Sequence, residues 1–81
     1  MYNVYILKSI AHYKYYVGYT ENIHKRIIEH NIGKVRSTKA YKPWNLIYLE
    51  SLENKTLARR RELEIKSYKG GGAFKKLINK K

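Results

Sequence analysis

The chain of 81 residues contains no cysteine, which excludes disulfide bonds and zinc sites with thiolate ligands. Its stability must come from a hydrophobic core, and a chain of this length has room for one compact core. We therefore interpret residues 1–81 as a single domain.

Aspartate is absent as well, and the acidic residues are six glutamates. Nucleases that use two metal ions hold them with clustered carboxylates. Such a cluster is difficult to build from this sequence. If the protein cleaves phosphodiester bonds, we expect one metal ion, assisted by tyrosine, histidine, arginine or lysine side chains.

No apolar run approaches the length that spans a bilayer, and the first five residues lack the features of a signal peptide. No segment predicts a helix with a wide apolar face backed by a wholly basic one, so membrane-surface binding is not expected. These absences predict a cytoplasmic protein without a membrane partner.

Positive charge, in contrast, is abundant. The chain contains 18 lysines and arginines but only six acidic residues, which gives a formal net charge of +12. A folded chain with this charge repels itself unless a polyanionic partner neutralises it. Excess lysine that only keeps a small protein soluble is the alternative explanation. In so short a chain we favour phosphate binding, so nucleic acid is the expected partner.

The first part of the chain predicts a β-hairpin followed by a helix. Residues 2–9 suit a strand buried on both faces, and residues 13–19 suit a second strand paired with it. Gly18 marks a bulge or the close approach of another backbone, since glycine otherwise weakens a strand. A helix follows over residues 23–32, with Gly33 as its left-handed C-terminal residue.

The second part predicts a basic loop, a strand and two helices. Residues 34–43 have no apolar period, so we predict a loop that contacts a phosphate backbone. Residues 44–52 predict a third strand that pairs with the hairpin. A helix begins at Asn54 or Thr56 and extends to about Lys69, and a short helix over residues 73–78 follows. The candidate nucleic-acid-binding residues of the loop are Lys34, Arg36, Lys39 and Lys42.

Two tyrosines are candidates for chemistry, because phosphodiester hydrolysis needs a group that activates water. Tyr5 and Tyr16 lie on the two hairpin strands and can approach each other on one face. A phenol, with an ordinary pKa of about 10, takes up a proton only if nearby positive charge lowers that pKa. Lys8, Lys14 and Arg26 are candidates for this charge. For any single tyrosine, ordinary packing on a strand is the simpler explanation.

Asn3-Val4-Tyr5 followed by Tyr16-Val17-Gly18-Tyr19-Thr20 resembles the paired signature of the GIY-YIG nuclease family. Arg26 and His30, which share one flank of the predicted helix, resemble the family's helix-borne arginine and histidine. Glu62 resembles its metal-binding glutamate. The similarity covers nearly the whole chain and extends to small stand-alone bacterial members related to the nuclease domain of the nucleotide-excision-repair enzyme.

The resemblance implies an α+β fold, with a three-stranded antiparallel sheet flanked by helices in the order β-β-α-β-α and a short C-terminal helix. It also implies one divalent cation, Mg²⁺ or Mn²⁺, and an endonuclease that hydrolyses DNA in repair or recombination. Tyr5 would activate or orient the attacking water, and Tyr16 would assist it. Arg26 would neutralise the scissile phosphate, His30 would support proton transfer, and Glu62 would hold the metal.

Some positions depart from the family pattern. Asn3 replaces the first glycine of the signature, whereas Gly18 is present and would let the backbone pack beside the active site. At the end of the domain the family often places an asparagine near the active site, and Asn79 is the one candidate in that part of the sequence. The basic loop stands where some members have a second histidine, so another way of activating water stays open.

Two other functions stay open. The chain could be a non-catalytic nucleic-acid-binding module, or a subunit of a larger repair complex. No sequence-reading module follows the domain, which leaves a protein partner or a transient dimer to be considered. Arg26 and His30 could also be a solvated helix flank, and Glu62 could simply pair with Lys66. We favour catalysis because all these residues occur together at the spacing of the family.

Overall fold

The computed structural model describes residues 1–79, which form a three-stranded antiparallel sheet with helices on both faces. This confirms the predicted α+β class and the predicted order of elements, including the short C-terminal helix. Among these residues, no helix combines the length and apolar character needed to cross a membrane. The elements are β1 (Tyr2–Ser9), β2 (Tyr15–Thr20), α1 (Ile23–Asn31), β3 (Trp44–Leu52), α2 (Lys55–Ser67) and α3 (Gly72–Ile78).

Strand β1 is the centre of the sheet, in the order β2-β1-β3. The four consecutive residues from Val4 to Leu7 are at most 1% exposed, so β1 is buried on both faces as predicted. Each face has its own apolar cluster. Alternate side chains of β1 therefore belong to different layers of the protein.

Helices α2 and α3 cover one face of the sheet, where Val4 and Ile6 pack against Ala58, Ile65 and Phe74. Helix α1 and the side chain of Trp44, the first residue of β3, lie on the opposite face. There the cluster consists of Tyr5, Leu7, Ile23 and Trp44, with Tyr16 packed against it. Side chains from α1 consequently meet Tyr5 and Tyr16 rather than the helices on the other side.

Side chains and glycine define the helix ends. Asn22 caps α1 by accepting a hydrogen bond from the Lys25 amide at 3.1 Å. Gly33, with φ of +83°, supplies the left-handed residue that follows α1. Asn54 caps α2 by accepting from the Leu57 amide at 2.9 Å.

Three local expectations were wrong. β2 begins at Tyr15, because Tyr13 is 93% exposed in the connection between the strands. Pairing of β1 with β2 is unbroken at Gly18, and the register shift lies between Ile6 and Leu7, where β1 pairs with β3. The basic loop contains a short 3-10 helix over Lys39–Tyr41.

Candidate active site

Gly18 lies directly opposite Tyr5 in the hairpin. A Cβ atom at Gly18 would lie 2.7 Å from the phenol oxygen of Tyr5 and 2.8 Å from its ring carbon Cζ. The close neighbour of Gly18 is therefore the Tyr5 side chain, and not another backbone as the sequence suggested. Glycine here leaves the space into which the phenol of Tyr5 extends.

The phenol of Tyr5 begins a buried chain of hydrogen bonds. Its oxygen lies 2.9 Å from Nε2 of His30, and Nδ1 of His30 lies 2.7 Å from Oγ1 of Thr38. Thr38 Oγ1 in turn donates to the carbonyl oxygen of Val35 at 3.4 Å. Thr38 therefore accepts from Nδ1, and Nε2 is left to accept the phenol proton of Tyr5. All three side chains are at most 1% exposed.

Burial also decides the charge of His30. It lowers the pKa of His30 to about 4, and the positive charge of Arg26 acts in the same direction. The imidazole is neutral at pH 7 and able to accept a proton. The sequence placed His30 on the flank of α1, whereas the structure places it inside the core.

The pKa of Tyr5 differs from the sequence expectation. Burial raises the pKa of Tyr5 to about 12, although the neighbouring Arg26 side chain lowers it. Desolvation outweighs the positive charge, so the phenol keeps its proton at neutral pH. The other two expected cations act elsewhere, since the ammonium groups of Lys8 and Lys14 lie over the rings of Tyr13 and Tyr41, respectively.

Tyr16 covers the hydrogen-bonded pair. Its ring centroid lies 6.2 Å from that of Tyr5 and 4.9 Å from that of His30. The ring of Trp44 follows at 6.5 Å. The two hairpin tyrosines thus share one face, as their sequence positions indicated.

Arg26 lies at the solvent side of this cluster. Its guanidinium forms an ion pair with Glu29 one turn later on α1, with Nη1 and Oε1 3.0 Å apart. The side chain of Arg26 keeps 35% exposure. A positive group held beside the Tyr5 phenol and open to solvent is suited to bind an anionic substrate.

Glu62 lies on α2, which packs on the opposite face of the sheet. Its side chain is 13% exposed and pairs with Lys66, whose Nζ lies 3.3 Å from Oε2. Among the causes of the shifted pKa of Tyr5, the negative charge of Glu62 is the smallest, and it raises that pKa. The structure therefore brings Tyr5, Tyr16, Arg26 and His30 together on one face of the sheet, whereas Glu62 lies on a helix of the other face.

The donors present fit one hydrated cation. Within residues 1–79, no group of three or more His, Asp or Glu side chains is arranged to hold a metal ion. Mg²⁺ characteristically keeps several waters and binds through one or two carboxylates together with phosphate oxygens of the substrate. Glu62, a single partly buried carboxylate, is a ligand of this kind.

Other predicted site residues lie around the cluster. The four basic residues of the loop are exposed. Thr38 in the same loop is hydrogen-bonded to His30, and its carbonyl oxygen accepts a hydrogen bond from the indole nitrogen of Trp44 at 3.0 Å. Asn79 follows α3, which packs on the opposite face, so the structure does not bring it to the cluster.

Thr38 is the site residue that the sequence did not reveal. It lies in an irregular segment, where no periodicity distinguishes one polar residue from another. The usable signal is chemical: a buried histidine needs a partner at each ring nitrogen, and a nearby hydroxyl can be that partner.

Comparison with known proteins agrees with the resemblance. The family model of the GIY-YIG catalytic domain matches residues 1–76. A UPF0213 protein of Staphylococcus haemolyticus is 44% identical over 66 residues, which cover 80% of this chain and 79% of the relative. A UPF0213 protein of Natronomonas pharaonis is 40% identical over 65 residues, which cover 79% and 75% of the two chains.

Among solved structures, the solution NMR structure of a UPF0213 protein from Bacillus halodurans is 33% identical and covers 83% of this chain and 72% of that chain, with a TM-score of 0.49. The family match extends over nearly all of the sequence that forms the sheet, the helices and the buried Tyr5–His30 pair. The chain belongs to the GIY-YIG catalytic domain family.

Proposed function

We propose that the protein is a metal-dependent endonuclease that hydrolyses phosphodiester bonds of DNA. The observation that carries this proposal is the buried chain from Tyr5 through His30 to Thr38. Apolar side chains of similar size would fill this space without desolvating polar groups, so packing alone does not account for it. A series of hydrogen bonds that ends at a phenol beside Arg26 is suited to move a proton near a bound phosphate.

Each residue has a role in this proposal. Arg26, held by Glu29, binds the scissile phosphate. Tyr5 accepts a proton from the attacking water while its own proton passes to Nε2 of His30. Thr38 keeps Nδ1 of His30 protonated, so that Nε2 is the accepting nitrogen.

Glu62 would hold a divalent cation, Mg²⁺ or Mn²⁺. When bound, the cation supplies positive charge to the phosphate and to the leaving oxygen. The Glu62 carboxylate would exchange its ion pair with Lys66 for the cation. The contribution of the chain is a partly buried carboxylate on α2, whose helix is packed firmly on the sheet through Ala58 and Ile65.

The distribution of charge supports DNA as the substrate. The six acidic residues all lie outside the segments 1–20 and 30–49, which contain the hairpin, the basic loop and the start of β3. These acid-free segments present exposed lysines and arginine beside the Tyr5–His30 pair. Positive charge therefore predominates in these segments, which favours the approach of a polyanion.

Plasmid nicking in the presence of Mg²⁺ or Mn²⁺ tests the proposal. Glu62→Gln should lower the nicking rate at least 100-fold while DNA binding is retained. Glu64→Gln is the matched control, because Glu64 lies on the same helix, is more exposed and pairs with Arg61 instead. Equal rates for Glu62→Gln and Glu64→Gln would refute the metal site. Tight, salt-sensitive DNA binding without nicking by any variant would favour the non-catalytic binding module.

A further inference from the structure

A depression lies beside edge strand β2, between this strand and the turn that joins α2 to α3. Its volume is about 270 Å³. This is near the lower limit of the roughly 300–1,000 Å³ that small-ligand sites occupy, and is suited to one nucleotide rather than several. It is lined by residues 15–17 of β2 and by Ile65, Lys66, Lys69, Gly70 and Phe74.

Aromatic and cationic groups share this lining. The ring of Tyr15 lies edge-on to that of Phe74 with centroids 5.1 Å apart, and Tyr15 keeps 41% exposure. Lys66 and Lys69, which are both exposed, also line the depression. An aromatic wall next to two ammonium groups matches a nucleobase joined to its phosphate.

Lys69 has an unfavourable backbone conformation. Its φ is +50°, and it is the one non-glycine residue with positive φ among residues 1–79. Glycine is the residue that ordinarily occupies such a position after a helix, and three glycines follow immediately. Because glycine would adopt this conformation with less strain, we count the lysine at this position in favour of a role for its side chain.

The depression is connected with the candidate active site. Lys66 pairs with Glu62, the candidate metal ligand, at 3.3 Å. Tyr16 belongs both to the lining of the depression and to the cluster around His30. A nucleic-acid strand that crosses the edge of the sheet at β2 would therefore contact both the depression and the cluster on the other face.

We infer that this depression, called here the β2 cleft, binds one nucleotide of the substrate strand next to the scissile phosphate. The base lies against Tyr15, and the phosphate contacts Lys66 and Lys69. This inference rests on the proposed nuclease function and specifies how that enzyme holds its substrate. It also implies that at least one nucleotide near the cut leaves the base stack of the duplex.

Binding of fluorescently labelled single-stranded oligonucleotides in the presence of a chelator tests the β2 cleft without requiring cleavage. Lys69→Gly should weaken binding about three- to tenfold. The number of counterions released on binding, measured from the slope of affinity against salt concentration, should fall by about one. The melting temperature of this variant should stay equal or rise, because glycine removes the backbone strain. Lys55→Gln removes an exposed charge elsewhere on α2 and is the matched control. If Lys69→Gly binds as Lys55→Gln does, the inference is wrong.

Abasic substitution identifies the base contact. In a series of oligonucleotides that each lack one base, wild type should bind most weakly to the oligonucleotide that lacks the base held in the β2 cleft. Tyr15→Ala should bind all members of the series equally. Persistence of the same dependence in Tyr15→Ala would overturn the base contact at Tyr15. These outcomes concern binding alone. Failure of the nuclease proposal would instead appear as absence of nicking by wild type with every divalent cation.

Discussion

The phenol oxygen of Tyr5 lies 2.9 Å from Nε2 of His30, and both side chains are buried in the centre of a small basic protein. Neither group is charged at neutral pH, since burial raises the pKa of Tyr5 to about 12 and lowers the pKa of His30 to about 4. The pair can therefore pass a proton inward without first carrying a buried charge. This relationship determines most of the expected properties of the site.

Thr38 should control the orientation of His30. Thr38→Val keeps the shape of the side chain but leaves the Nδ1 proton of His30 without an acceptor. We expect a 10- to 100-fold lower cleavage rate and a loss of about 1–3 kcal/mol in unfolding free energy. Thr38→Ser restores the hydroxyl and should recover most of the rate. Single-turnover cleavage and urea unfolding measure the two effects, and equal rates for the Val and Ser variants would contradict this role.

Stability should depend on pH through His30. The unfolded chain binds a proton at His30 below about pH 6.5, whereas the folded chain does so only below about pH 4. The unfolding free energy therefore falls as the pH falls between these values, by roughly 3 kcal/mol in total. Urea unfolding at pH 7 and pH 4 of wild type and His30→Gln isolates this contribution. If both proteins lose the same free energy, His30 is not the group responsible.

Gly18→Ala should separate activity from folding. The added methyl group would lie 2.7 Å from the Tyr5 phenol oxygen and must displace the ring. We expect a stability loss of about 1–3 kcal/mol and a cleavage rate at least 100-fold lower, with DNA binding unchanged. Gly72→Ala is the control, because no atom lies within 4 Å of its added Cβ. Full activity of Gly18→Ala would show that the position of the phenol is unimportant.

Much of the fold follows from local patterns in the sequence. Continuous apolar and aromatic residues predict the doubly buried β1, and Asn54 marks the start of α2 through its capping side chain. The shared face of Tyr5 and Tyr16 follows from strand alternation within the hairpin. These features depend on neighbours in sequence, so a single sequence is sufficient to predict them.

The details of the site depend on contacts that are distant in sequence. Thr38 acts because the loop folds back onto α1, and no local pattern indicates that contact. The pKa of Tyr5 rises because burial outweighs the charge of Arg26, which requires knowledge of the packed interior. Glu62 lies on a helix that packs on the other face of the sheet, and only the family resemblance selected it.

The most direct test of the central claim is single-turnover nicking of supercoiled plasmid by Tyr5→Phe. Removal of one oxygen should lower the rate at least 100-fold, because the attacking water loses its path to His30. Tyr13→Phe is the matched control, since Tyr13 is 93% exposed and outside the site. A rate for Tyr5→Phe equal to that of Tyr13→Phe would contradict catalysis through the Tyr5–His30 pair.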